Sequence, residues 1–331
     1  MPDALATADV RALFARMRER RVLVVGDAML DEWVWGSVSR ISPEAPVPVV
    51  AVTDHSYTLG GAGNVANNLR AIGARVAFAG IVGTDSAGNR IVGLLDGIDV
   101  DRTAVVRVDD RPTTRKTRIV AHNQQVVRAD WESATALAPA DRLRLCAHVE
   151  RIAPAFDAVV LSDYAKGVFA PETTGESTLV GAARGARVVT ADPKPANIGL
   201  FGGITCVAPN VHEAEIATGI AIVDDASLAR AGAALLARLA CRFVVVTRGE
   251  RGMALFGSAG ERLAIPSVAR AVYDVSGAGD TVIAVLTLAL AADAPIELAL
   301  QLANFAAGAV VGKLGTATAS PDEILALVSG D

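Results

Sequence analysis

The stretch Asp274-Val275-Ser276-Gly277-Ala278-Gly279-Asp280-Thr281, followed at once by the apolar run Val282 to Ala292, decides how this chain is read. The run is dominated by Ala and Leu and has no Gly or Pro, so it reads as a helix. Gly277, Ala278 and Gly279 then form its first turn, where backbone N–H groups without intrahelical partners point outward and the dipole is positive. A helix start of this kind binds anions, phosphates above all, and glycine lets a ligand come close to the backbone. Asp280 puts a carboxylate inside the same turn. It would repel a phosphate at rest, so its presence points to chemistry, namely taking the proton of a hydroxyl that attacks phosphorus. The plainer alternative is an acidic residue that only complements the dipole.

Composition sets the frame for that reading. The 331 residues are enough for one large α/β domain or two smaller ones. Hydrophobic residues make up 52% and aromatics only 4%. A core of Ala, Val, Leu and Ile suits a parallel sheet covered by helices on both faces. A net charge of −5 and the lack of a basic run give no support to nucleic-acid binding. Cys146, Cys206 and Cys241 are odd in number, scattered, and lack metal-type spacing, so they read as core residues in a reducing compartment. The N-terminus (Asp3, Asp9, then Arg11 to Arg21) lacks the order of a signal peptide, and Val282 to Ala292 is too short to span a bilayer. A soluble, cytoplasmic protein is expected.

Residues 5–19 read as a charged amphipathic helix. Val22 to Gly26, closed by Asp27, reads as a buried strand ending at a functional edge. Asp31 follows, placed either to hold a sugar hydroxyl beyond a strand end or to serve as a structural cap. Trp33 to Thr58, with Pro43, Pro46 and Pro48, fits strand with edge prolines, and 113–128 reads as a second hairpin turning at His122-Asn123. The two hairpins, about 33–58 and 113–128, predict a small β lid inserted into one α/β domain spanning 1–331. Between them, Gly60-Gly61-Ala62-Gly63-Asn64 opens a helix from about Val65 to Ile72. The strand Val76 to Val82 then ends in Gly83-Thr84-Asp85. Four more strands end in polar, turn-forming clusters: Ser162-Asp163-Tyr164-Ala165-Lys166-Gly167, Asp192-Pro193-Lys194-Pro195, Pro209 to Glu213 and Thr247 to Gly252. Those clusters are expected along one rim of the sheet, lining a cleft. Gly61 to Ala66 fits a loose dinucleotide fingerprint with Asp85 downstream, but Asp54 to Thr58 before it is no apolar strand. Gly308 to Lys313 is not a P-loop, because three residues separate its glycines and Leu314 stands where Ser or Thr is needed.

Taken together, Gly60 to Asn64, Asn210-Val211-His212-Glu213, Thr247-Arg248-Gly249-Glu250-Arg251-Gly252 and Asp274 to Asp280 resemble, in that order, the signature set of the PfkB, or ribokinase-like, carbohydrate kinases. The resemblance covers essentially the whole chain and implies a doubly wound, mostly parallel sheet with a β lid. Arg40 to Val49, Asn123-Gln124-Gln125, Ser162 to Gly167 and Val311 to Thr316 are similar to those members that phosphorylate D-glycero-β-D-manno-heptose 7-phosphate at its anomeric hydroxyl. Such enzymes often carry a fused nucleotidyltransferase, and a chain ending at Asp331 is expected to be the kinase alone.

By this resemblance Asp280 is the general base, and the amides of Gly277, Ala278, Gly279 and Asp280 hold the transferring phosphoryl group. Asn210 and Glu213 order Mg²⁺ near ATP, through water. Thr247, Gly249 and Gly252 form the nucleotide loop, with Asn304 on the adenine side. Asp274 and Ser276 match a monovalent-cation (K⁺) position, and Asp31, Gly60, Gly61 and Asn64 match the sugar-hydroxyl set. For Asn64 the alternative is a tie between helix start and loop. A phosphorylated sugar needs cations, drawn from Arg40, Lys116, Arg118, Arg128, Lys166 and Lys194, with Lys116, Arg128 and Lys166 as the proposed clamp. Alternation along Val47 to Val52 predicts an apolar outer lid face, together with Trp33 or Trp35, and hence a homodimer through the lid. The alternatives are a kinase for another sugar phosphate or a nucleoside, and a regulator without catalysis.

Overall fold

The computed structural model describes residues 6–122, 124–133, 137–170, 178–269, 273–313 and 315–330. Asp3, Asn123, Leu314 and Asp331, used above, lie outside the described residues.

The apolar runs become strands because burial on both sides rewards a continuous hydrophobic segment. Helix α1 (Thr7–Arg18) leads into β1 (Arg21–Gly26). A hairpin, β2 (Ala28–Ile41) and β3 (Pro48–Gly61), precedes α2 (Ala62–Ile72), β4 (Arg75–Gly83), α3 (Ser86–Gly97) and β5 (Asp101–Val108). A second hairpin, β6 (Thr114–Ala121) and β7 (Gln124–Trp131), precedes α4 (Pro139–Ile152), β8 (Ala158–Ser162), α5 (Leu179–Ala183) and β9 (Val188–Asp192). Next come β10 (Cys206–Val207), α6 (Val211–Thr218), α7 (Asp225–Leu239), β11 (Phe243–Thr247), β12 (Met253–Gly257) and β13 (Arg262–Ile265). Three helices close the chain: α8 (Ala278–Ala291), α9 (Ile296–Val310) and α10 (Pro321–Ser329).

Nine strands form one sheet in the order β13-β12-β11-β10-β9-β8-β1-β4-β5, all parallel except β12, which runs antiparallel to both β11 and the edge strand β13. Val22 and Val24 of β1 join the core under α1, α2, α8 and α9, while Leu23 and Val25 join the core under α4, α5 and α7. The order reverses between β1 and β8. From β1 the chain works outward through β4 and β5, and from β8 through β9, β10 and β11. α2 covers one face and α5 the other, so a crevice opens beyond the paired ends Gly26 and Ser162. Among the described residues no helix is long and apolar enough to cross a membrane.

The second sheet has the order β3-β2-β6-β7. Its two hairpins are antiparallel, but β2 and β6 join them in parallel, with Asp31 opposite Lys116 and Trp33 opposite Arg118. The strands outrun the expected limits. Asp31, Gly60 and Gly61 all lie within the first hairpin, and α2 begins at Ala62. The residues before Gly60 are a strand, as Trp33 to Thr58 was read, but one of the second sheet with an exposed face and so no apolar run. The position expected for Trp33 and Trp35 also needs correcting. The period of two puts both tryptophans on the face of Asp31, where they stack at 5.7 Å and where Arg118 lies 4.9 Å over Trp33. They are half-buried there and take no part in an outer apolar surface.

Candidate active site

At the crevice the strand ends deliver acids. Asp27 follows β1, Asp163 follows β8, and Asp192 ends β9. Asp27 is buried and accepts the N–H groups of Tyr164 (2.8 Å), Lys166 (3.1 Å) and Val168 (3.2 Å). Asp163 accepts from Ala165 N (2.7 Å), Lys194 N (3.0 Å) and Asn197 Nδ2 (3.1 Å). These two carboxylates clamp the loops beyond β8 and β9 rather than facing a ligand. Burial pushes Asp27 up to about 6 despite its three donors, and raises Asp163 as well.

The first turn of α8 faces the same crevice. Gly277 caps it at φ 78, and a Cβ there would sit 2.7 Å from Asn64 Nδ2. Only glycine combines that backbone with that neighbour. The Ala278 N–H is taken by Val275 O at 3.2 Å, whereas the amides of Gly279 and Asp280 stand ahead of the first intrahelical acceptor. Space above Gly279 is open as far as Asp192 Oδ2, 3.9 Å from where a Cβ would be. Room remains there for an anion against the backbone.

Asp280 is 3% exposed. Asn64 Nδ2 donates to its Oδ2 at 2.8 Å and the Tyr164 hydroxyl to its Oδ1 at 2.6 Å. Burial raises Asp280 to about 6, while Tyr164, Asn64 and the Lys194 charge pull it down and Asp31 pushes it up. Asp192 is driven further, to about 8, by desolvation, with Lys194 opposing. Lys194 itself titrates above its ordinary value, because Asp192 and Glu213 outweigh its desolvation. Its Nζ meets Glu213 Oε1 at 2.5 Å and lies 5.3 Å over the Tyr164 ring.

Asn210 and Glu213 form a capping box on α6: Asn210 Oδ1 accepts from Glu213 N and Glu213 Oε2 accepts from Asn210 N, both at 2.9 Å. An isolated bridge pairs Asn210 with Thr247, which joins this element to the tight loop Gly249–Gly252, whose two glycines have φ 58 and φ 78. Asn304, buried on α9, donates to Pro266 O at 2.8 Å. Asp274 accepts from Ser276 N (2.9 Å) and Gly315 N (3.0 Å), and those donors hold it below the ordinary value against its burial.

Asp31 is buried and paired with Arg118 at 2.6 Å, and glycine at position 60 leaves room for its carboxylate, since a Cβ there would lie 2.6 Å from Oδ2. Gly61 has φ 56 where β3 turns into α2. Lys116 and Arg128 share Asp130 at 3.0 and 2.9 Å, and Lys166 pairs with Glu132. The three cations thus gather at the end of β7, each already facing a carboxylate. Asp85 caps α3 and accepts from Gly88 N and Thr113, a structural role. The sequence reading puts Tyr164 and Asp192 in clusters expected to line the cleft but gives neither a role. The available signal was position, since Tyr164 lies two residues beyond the end of β8 and Asp192 ends β9, both at the rim.

The model of the pfkB family of carbohydrate kinases matches residues 19–323. The bifunctional protein HldE of Geobacter sulfurreducens is 46% identical over 317 residues, which cover 96% of this chain and 64% of that protein. The protein of the same name from Gluconacetobacter diazotrophicus is 46% identical over 305 residues, 92% of this chain and 63% of its own. The chain thus spans just under two thirds of those relatives. Among solved structures, Arabidopsis thaliana ribokinase complexed with ribose and ATP superposes with a TM-score of 0.72 at 20% identity, covering 94% of this chain and 99% of that one. Escherichia coli phosphofructokinase-2 in complex with potassium gives 0.76 at 19% identity, with the same coverage. These likenesses establish the ribokinase-like fold.

The raised Asp280 carries a consequence for stability. An acid whose folded pKa (about 6) exceeds its ordinary 3.8 adds stability below the lower value. That stability is lost as pH rises toward the higher one, at ~1.4 kcal/mol per pH unit. Asp280→Asn has no charge to desolvate. Its stability relative to wild type is predicted to improve by about 1–3 kcal/mol between roughly pH 4.5 and pH 7. Denaturant unfolding at both pH values measures this, and a difference independent of pH contradicts it.

Proposed function

Because the chain belongs to the pfkB family of carbohydrate kinases, we propose that it moves the terminal phosphoryl group of ATP onto the anomeric hydroxyl of D-glycero-β-D-manno-heptose 7-phosphate. The product would be the 1,7-bisphosphate of lipopolysaccharide heptose synthesis, and residues 1–331 one kinase domain with the second sheet as its lid. The observation that carries the reading is Asp280, a buried carboxylate inside the first turn of a helix with both oxygens held by donors. A site meant only to bind phosphate has no use for it. The choice of heptose rests on Ser162 to Gly167 and Val311 to Thr316. The first places Tyr164 on Asp280, and the second places Gly315 N on Asp274 and Thr316 within 3.3 Å of Thr58. The 46% identity to bifunctional HldE supports the same choice.

In this reading Asp280 takes the hydroxyl proton as the sugar oxygen closes on phosphorus, and the Gly279 and Asp280 amides face the charge that develops. Asp31, Gly60, Gly61 and Asn64 orient the sugar. Thr247, Gly249, Gly252 and Asn304 hold the nucleotide. When bound, ATP with Mg²⁺ supplies the phosphoryl group and neutralises its charge. Among the described residues no three His, Cys, Asp or Glu side chains gather as a metal cage. Asn210 and Glu213 already bond each other in the capping box, and Glu213 also pairs with Lys194, so they fit a Mg²⁺ that keeps its water shell. A monovalent cation beside Asp274 and Ser276 belongs to the same proposal, supported by the potassium complex of E. coli phosphofructokinase-2.

Lys116, Arg128 and Lys166 are the proposed holders of the phosphate already on the sugar, exchanging Asp130 and Glu132 for it. Charge-assisted bonds contribute ~1.5–3 kcal/mol each, so the phosphate is expected to raise kcat/KM tenfold or more over plain heptose. ADP release measured across heptose 7-phosphate, heptose, other sugar phosphates and nucleosides tests this. Equal turnover of unphosphorylated heptose, or none of heptose 7-phosphate, overturns the assignment.

A homodimer through the second sheet completes the proposal. Ile41, Val52, Val127 and Trp131 are 61%, 51%, 48% and 44% exposed there. Apolar surface of this kind is usually covered, and a two-fold axis would cover it. Val52→Asp is expected to give monomers by light scattering, with nucleotide binding intact. A wild type that is monomeric at micromolar concentration rules the dimer out.

A further inference from the structure

Tyr164 belongs to a motif that carries the heptose resemblance, but nothing above gives it a task. It is half-buried, and its hydroxyl donates to Asp280 Oδ1 at 2.6 Å. We propose that Tyr164 is a positioning residue: its hydroxyl, not its ring, fixes the Asp280 carboxylate and keeps it ready to take the sugar's proton. The inference rests on Asp280 being the base.

A carboxylate has about four lone-pair sites on two oxygens. Asn64 occupies one on Oδ2 and Tyr164 one on Oδ1. Two donors on different oxygens stop the group from rotating and leave the remaining lone pairs for an incoming hydroxyl. With Asn64 alone, one oxygen is unanchored. Both donors also favour the charged form, against a burial that raises Asp280 to about 6. The other charges that face it are Lys194, which favours ionisation, and Asp31 and Asp192, which oppose it, with Asp31 paired to Arg118. Tyr164 itself stays protonated, because burial and the charges of Asp280 and Asp192 push it well above its ordinary value. In the transfer the sugar oxygen bonds to phosphorus, the bond to the departing ADP breaks, and the hydroxyl proton moves to Asp280. Tyr164 keeps its own proton and remains a donor throughout.

The loop is built to hold this hydroxyl in place. Asp27 accepts the N–H of Tyr164, and Asp163 accepts the N–H of Ala165. Ala165 sits at φ 54, a left-handed conformation that a residue with a Cβ adopts only when its surroundings impose it. Lys194 closes the ring's open face at 5.3 Å. A packing aromatic would need none of these constraints.

Tyr164→Phe keeps the ring and removes the donor. The expected result is a kcat lower by about tenfold or more. KM for ATP should stay unchanged, and the acid limb of kcat/KM against pH should move up by about one pH unit. Replacing Tyr164 by 3-fluorotyrosine, a stronger donor of similar shape, should move the limb the other way. If wild type shows an acid limb near 6 and neither variant moves it, Tyr164 is only structural and the inference falls while the base survives. If wild type shows no such limb, the base reading falls, and the inference with it.

Discussion

Desolvating one carboxylate is the constraint on which the rest of this structure depends. Asp280 must be dry enough to want a proton and yet charged often enough to take one. Burial alone would leave it protonated. The structure answers with donors drawn from three distant parts of the chain: Asn64 at the start of α2, Tyr164 beyond β8, and the charge of Lys194 beyond β9. Each arrives because a parallel sheet brings its strand ends to one rim, and the switch between β1 and β8 opens a gap there.

The same economy governs the supporting acids. Asp27 and Asp163 are as dry as Asp280, but they spend their oxygens on backbone N–H groups and so stiffen the loops that aim Tyr164 and Lys194. A crevice with this many buried carboxylates is costly to fold at neutral pH. Sites commonly give up stability in this way for chemistry. The second sheet approaches from the other side. Its Asp31, Trp33, Arg118 and Lys116 share one face, and Thr58 meets the loop at Thr316.

Much of this could be read in the chain. The apolar runs ending in Gly26-Asp27, Ser162-Asp163 and Ala191-Asp192 state both the parallel sheet and its polar rim, because burial on both faces leaves no other pattern. The first turn of α8 was equally plain, since Gly277, Ala278 and Gly279 meet the acid Asp280 just before the largely apolar run Val282 to Ala292. What stayed hidden depends on pairing across the chain. Nothing local says that β2 runs parallel to β6, which sets Arg118 beside Trp33 and Asp31. Lys194 was grouped with the substrate's cations because its charge is visible, while its contacts with Glu213 and the Tyr164 ring are not. Tyr164 looked like one residue of a turn until a left-handed Ala165 delivered its hydroxyl to Asp280.

The claim that Asp280 is a base rather than a complement to the helix dipole is tested most directly by the turnover of Asp280→Asn. The account predicts a kcat at least ~10²-fold lower, the scale of a lost general base. Nucleotide affinity should be nearly unchanged, because the anion site is backbone. A purified, folded variant that turns over at close to the wild-type rate would contradict it.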